Sequence, residues 1–222
     1  PMLNLLIFGP PGAGKGTQAA KISAEYGIPH ISTGNIFREA YAQKTDLGRE
    51  AHDTYWGKGI LVPDDVTNTL ALARLQQDDC QPGFILDGYP RTEGQADALQ
   101  KFLSEKGKSI DHVLYLQGAE EILLGRIATR YVCRDCSTTY GMEVIPKVEG
   151  KCDSCPGKLY QRLDDGADKV GTRIKEYDAK TAPLLQFYQQ QGLLREIDGA
   201  GHVGEVFKEI EYLYNEHNVR YF

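Results

Sequence analysis

The residues GPPGAGKGT at 9–17 set Gly12 and Gly14 ahead of Lys15 in a GxxxxGK pattern. Glycines let backbone N–H groups close on phosphate oxygens, and a helix that begins at the lysine adds the positive end of its dipole. Lys15 then supplies a point charge to the outer phosphates of a nucleoside triphosphate. Ala13, Gly16 and Thr17 complete the loop, with Gly at position 16 where the general motif carries a magnesium-ligating Ser or Thr. A second group lies far downstream. Cys133 and Cys136 form one CxxC pair, Cys152 and Cys155 another, and fifteen residues separate the pairs. Four thiolates so spaced suit a closed tetrahedral site for a structural metal, zinc first and iron as the other thiolate metal. Cys80 stands alone and reads as a buried small hydrophobe.

Phosphate chemistry at 9–17 requires a strand before the loop and a helix after it. The apolar run LNLLIFG at 3–9 reads as the strand, and Lys15 to about Tyr26 reads as the helix, with Ala19, Ala20 and Ile22 on its apolar side. A short strand is expected at 29–32, helical segments at 35–43 and 47–56, and a further helix opening at Pro63, Asp64 and Asp65. GFILDG (83–88), HVLYLQG (112–118) and LLREIDG (193–199) are strand-like, and helical patterns occupy 92–104, 119–130 and 203–214. This alternation predicts an α/β protein with a parallel sheet covered on both faces. Asp87 ends one of these strands, where a carboxylate can reach the crevice at the sheet's carboxyl edge and hold magnesium through its waters. Residues 131–165 break the alternation: they hold the paired cysteines among turn formers and β-prone residues, and read as an inserted small β lobe. A lobe of that size falls below the ~40 residues at which a domain holds together without a staple.

The chain has 222 residues, which fits one globular body with inserted lobes. Apolar residues at 41% and charged residues at 25% exclude a disordered or collagenous chain. A net charge of -6 argues against general adhesion to nucleic acid or anionic membrane. The N-terminal run Met2 to Phe8 is interrupted by Asn4, too short for a membrane helix or a signal peptide, and no Arg-rich transit segment follows, so the cytoplasm is expected. His30, His52, His112, His202 and His217 are scattered and read as structural or surface residues. Tyr212, Tyr214 and Tyr221 read as helix packing.

The GKGT variant at 14–17, ISTGNIFR at 31–38, LDGYPRTEGQA at 86–96, GRIATR at 125–130, the CxxC lobe ending in LYQRLDD at 159–165, and the series Arg173, Tyr177, Thr181, Ala182, Pro183 carry a likeness that runs the whole length. Together they resemble the adenylate kinases, a family of nucleoside monophosphate kinases. The resemblance implies a P-loop core at 1–31, 63–127 and 168–222, a helical AMP-binding lobe at 32–62, and a metal-stabilised β lid at 128–167. It implies the reaction Mg·ATP + AMP ⇌ 2 ADP, with ATP, AMP and ADP as partners and a monomer sufficient for the chemistry. Thr33 and Arg38 would meet the AMP base and phosphate, Gly88 and Gln95 its adenine, Arg91 its phosphate, and Leu61 and Val62 would line its pocket. Arg126 would lie against the ATP base, and Arg130, Arg162 and Arg173 would gather the transferring phosphates. Planar guanidinium forks neutralise and orient two repelling polyphosphates better than lysines could.

Three positions depart from the family pattern. Asn35 stands where a carboxylate is usual, which leaves Asp87 as the acid of the magnesium shell; Gly171 and Tyr131 replace arginines that relatives carry. The resemblance also implies a cis Tyr89–Pro90 peptide in the DGYPR turn that aims Arg91 into the crevice. Another monophosphate as acceptor, or GTP as donor, remains an alternative. A GTPase switch is disfavoured because no Asn is followed by Lys, and a zinc-ribbon nucleic-acid binder because the chain is acidic.

Overall fold

The computed structural model describes residues 3–218; Tyr221 and the side chain of His217 lie outside the described residues. Five parallel strands form the central sheet: β1 (Leu3–Phe8), β2 (His30–Ser32), β3 (Gly83–Asp87), β4 (His112–Gln117) and β8 (Leu194–Asp198), in the order β2-β3-β1-β4-β8. All six residues of the central β1 are buried, as a strand covered on both faces must be. Its side chains alternate between two cores. Leu3, Leu5 and Ile7 join Ile22, Leu116, Leu123, Ile197 and Ile210 on one face, while Leu6 and Phe8 join Ile31, Leu86, Leu99 and Leu184 on the other. Each such side chain contributes about 1.5–3 kcal/mol when fully buried. The first face is covered by α1 (Lys15–Tyr26), α6 (Glu120–Ala128) and α9 (Val203–Asn218), the second by α4 (Asp64–Leu75), α5 (Glu93–Glu105) and α8 (Pro183–Gln190).

Between β2 and α4 the chain leaves the sheet as α2 (Thr33–Ala42) and α3 (Asp46–Thr54), which share a small core of Phe37, Ala51 and Val62 with Tyr55 and Trp56. Ser32 caps α2 by accepting from the Asn35 amide, so the strand-to-helix turn holds Thr33 at the sheet edge. The second excursion is a three-stranded antiparallel sheet of β5 (Tyr131–Cys133), β6 (Thr139–Tyr140) and β7 (Leu159–Tyr160), in the order β6-β5-β7. The β-prone Val144 and Ile145 lie outside its strands.

The sequence pattern assigns no element to 167–190. The structure has α7 (Ala167–Glu176), a widened π turn at Tyr177–Thr181, and α8 there. Tyr214 packs on Tyr26 with ring centroids 4.8 Å apart, whereas Tyr212 is largely exposed. Cys80 is buried, as expected. Among the described residues no helix is long and apolar enough to cross a membrane.

Candidate active site and metal centre

The carboxyl ends of the strands open onto a cleft of about 660 Å³. Gly12, Ala13, Gly14, Lys15, Gly16 and Thr17 line it below, and Thr33, Arg38, Leu61, Val62, Asp87, Gly88, Arg91 and Gln95 line one side. Arg126, Arg130, Arg162 and Arg173 complete it. Residues scattered over 160 positions of sequence thus meet around one space, the arrangement expected where parallel strands deliver their following loops to a common edge.

β1 runs into the glycine loop and α1 starts at Lys15. Gly12 has φ 85°, and a Cβ there would stand 2.5 Å from the Leu123 carbonyl oxygen, so only glycine permits the loop to lie against α6. Lys15 Nζ donates to the carbonyls of Gly9 and Pro10 at 2.8 and 2.9 Å. Burial pulls its amine down, Asp87 resists, and Arg91, Arg173 and Arg130 add to the fall, leaving it at about 7. An anion in the cleft would reverse that shift.

Asp87 faces the same loop: a Cβ on Gly16 would sit 3.5 Å from Asp87 Oδ2. His30 Nε2 is 3.2 Å from that oxygen, so this histidine is not the bystander its isolation in sequence suggests. Burial would raise the Asp87 carboxyl, but the hydrogen bond and charge of His30, with Lys15 and Arg91, hold it at about 2. An ionised, oriented carboxylate opposite a glycine loop is placed to accept hydrogen bonds from the waters of a hydrated magnesium ion.

On the acceptor side Gly88 has φ 81°, and its carbonyl accepts from Thr33 Oγ1 at 2.8 Å and Arg91 Nε at 2.9 Å. The Tyr89–Pro90 bond is cis. Gln95 Oε1 accepts from the Arg91 amide at 2.8 Å, while its Nε2 donates to Asp64 at 2.9 Å and keeps a second hydrogen free. Asn35 lines the cleft together with Asp87, and its Oδ1 accepts a charge-assisted hydrogen bond from Arg38 Nη2 at 2.8 Å.

Two carboxylates that were not singled out in sequence organise the remaining cations. Asp165 accepts from both Arg130 and Arg173, and Asp164 lies 3.3 Å from Arg173 and 3.9 Å from Arg38. Burial opposes ionisation of Asp164, but Arg173, Arg38, Arg162 and Arg130 hold it at about 2. Only the LYQRLDD segment could have signalled them. Arg162 is different: its Nε is buried without a partner among the described residues, and burial, then Arg38 and Arg130, push its guanidinium well below its ordinary range. Lys15 and five arginines (38, 91, 130, 162, 173) face three carboxylates, Asp87, Asp164 and Asp165. This surplus of positive charge fits polyphosphate. Arg126 is already engaged, donating to Glu143 Oε1 at 2.6 and 2.8 Å and to the Gly199 carbonyl at 2.6 Å.

Above this cleft, Cys133, Cys136, Cys152 and Cys155 bring four sulfurs within 4.8 Å of one another. A tetrahedron of 2.3 Å zinc–sulfur bonds needs sulfurs ~3.8 Å apart, so the cluster fits a metal ion. Amides of Asp135 and Ser154 point at Cys133 and Cys152 sulfurs at 3.4 Å, and the Tyr140 hydroxyl draws the Cys152 thiol down to about 6.

Comparison with known proteins agrees with this geometry. The adenylate kinase family model matches residues 7–193. The chain belongs to the adenylate kinase family. It is 51% identical over 207 residues to an adenylate kinase of Fervidobacterium nodosum, covering 93% of this chain and 94% of that one. It is 47% identical over 212 residues to one of Geobacillus sp., covering 95% and 98%, and 48% identical over 210 residues to one of Archaeoglobus fulgidus, covering 94% and 96%. As an adenylate kinase the chain is a phosphotransferase acting on AMP, with ATP and ADP as its other nucleotides and magnesium accompanying ATP.

Proposed function

We propose that Lys15, Arg91, Arg130, Arg162, Arg173 and Asp87 carry the chemistry of Mg·ATP + AMP ⇌ 2 ADP in this cleft. The observation that carries this reading is Arg162, a half-buried arginine whose buried Nε has no hydrogen-bond partner among the described residues, beside a set of arginines that Asp164 and Asp165 only partly neutralise. The ATP phosphates lie along Gly12 to Thr17 with the base toward Arg126, and AMP lies among Thr33, Arg38, Leu61, Val62, Gly88, Arg91 and Gln95. The acceptor is an anionic phosphate oxygen, so no general base is required. Lys15 leaves the carbonyls of Gly9 and Pro10 to follow the transferring charge, while Arg130 and Arg173, aimed by Asp165, hold the phosphoryl oxygens in line. Magnesium bound with the nucleotide neutralises phosphate charge; Asp87 holds its waters and His30 fixes Asp87.

In this reading 1–31, 63–127 and 168–222 are the core, 32–62 the AMP lobe, and 128–167 a lid that keeps water from accepting the phosphoryl group. Zinc is the ion that the four thiolates suit best. The enzyme works in the cytoplasm as a monomer, without nucleic acid or membrane. A coupled assay of ATP with AMP, UMP, CMP and GMP tests it: AMP should be strongly preferred and turnover should require magnesium. Lys15→Ala should cost about 3 kcal/mol of transition-state stabilisation, roughly a hundredfold or more in kcat. Normal turnover in that variant would overturn the assignment.

A further inference from the structure

Tyr140 is nearly fully buried, at 3% exposure, on strand β6 of the lid. It is among the residues that line the nucleotide cleft, and its hydroxyl reaches into the cysteine cluster. The phenolic oxygen accepts the Asp153 amide at 2.7 Å and lies 3.4 Å from Cys152 Sγ. A phenol has one proton. The Asp153 contact uses an oxygen lone pair, so that proton is free for the sulfur. Once Cys152 ligates a metal it is a thiolate, which can only accept, and the direction of the contact follows: Tyr140 O–H donates to Cys152.

We propose that Tyr140 is the outer anchor of the four-cysteine centre, fixing Cys152 by an O–H···S bond and so slowing loss of the metal from the lid. Four thiolates leave a divalent ion with an excess of two negative charges, which hydrogen-bond donors must spread. Most donors here are exposed or backbone: the Thr138 hydroxyl meets the exposed Cys136 at 3.1 Å, and the Ser154 amide meets Cys152 at 3.4 Å. Tyr140 alone among these donors is a buried side chain held at both ends, so water cannot replace it without opening the lobe. Its backbone pairs with Tyr131, the neighbour of Arg130, which places the metal centre one ladder step from a guanidinium that faces the phosphates.

This inference rests on the reading of the four cysteines as a metal centre, and the test separates the two. Full-length parent, Tyr140→Phe and Thr138→Val are purified, their zinc is measured, and its transfer to a chromophoric chelator is timed. Tyr140→Phe keeps the ring, and release should be about tenfold faster than from the parent, with Thr138→Val within about twofold of it. Cobalt-substituted Tyr140→Phe should show a displaced thiolate-to-metal charge-transfer band, while the metal-stripped parent and variant melt at the same temperature. Release within about twofold of the parent, an unmoved cobalt band, or a stripped variant that melts clearly below the stripped parent would each refute the role of Tyr140. A parent that carries no zinc and takes up no cobalt would instead refute the metal centre itself.

Discussion

Arg162 shows most plainly how this site trades stability for chemistry. A buried cationic nitrogen without a hydrogen-bond partner is costly, and among the described residues Arg162 Nε has none, although Asp164 and Asp165 stand close by. Arg162→Met should therefore raise the stability of the nucleotide-free protein by about 1 kcal/mol, while turnover falls at least a hundredfold. Denaturant titration and steady-state kinetics on the same preparation check both halves. Asn35 makes a second case. Because its oxygen already accepts from Arg38, Asn35→Asp should weaken the pull of Arg38 on phosphate. The expected result is a KM for AMP raised about threefold, consistent with a partly exposed pair, and an unchanged half-saturating concentration of magnesium. A shift in the magnesium curve would return residue 35 to the metal's surroundings.

At the scale of elements, Arg126 ties the lid to α6. Arg126 projects from α6, grips Glu143 in the lid, and reaches the carbonyls that follow β8. A nucleotide base arriving at Arg126 must compete with Glu143, a pair of limited exposure worth up to about 1 kcal/mol. Glu143→Gln should lower the KM for ATP by up to about fivefold and leave that for AMP alone, as initial rates at saturating co-substrate would show. The lid's own sheet has seven strand residues and draws little from packing: Val132, Cys133 and Tyr140 are its buried apolar members. Removing metal should abolish protection of amide hydrogens in β5–β7 while β1, β3 and β4 keep theirs, a difference that hydrogen exchange resolves directly.

For the whole molecule, the charges that make the cleft also set its response to acid. Asp87 and Asp164 ionise in the folded protein at about 2, below an ordinary 3.8. Between those values the unfolded chain binds more protons, so the stability they contribute is whole above pH 4 and is lost as the pH falls toward 2. Each contributes about 2 kcal/mol. The melting temperature should drop steeply over that window, and less steeply in Asp164→Asn, whose amide cannot gain a proton there. Contacts also cross the cleft. Asp164 approaches Arg38 at 3.9 Å, so acid that protonates Asp164 loosens that approach as well as the core.

The sheet, the glycine loop and the cysteine pairs were legible in the sequence because each rests on local physics. An apolar run between glycines makes a buried strand, GxxxxGK between strand and helix makes a phosphate cradle, and CxxC spacing puts two thiols on one turn. The elements at 167–190 were not legible, because α7 is polar over most of its surface with only Val170 buried, and the turn that follows widens rather than ends the helix. What only the tertiary structure decided is pairing between distant residues: His30 with Asp87, Asp165 with both Arg130 and Arg173, Tyr140 with Cys152. Composition and periodicity specify which face of an element is apolar, but a polar side chain finds its partner through the register of strands and the crossing of lobes. Those are set by the packed whole, and no window of sequence contains them.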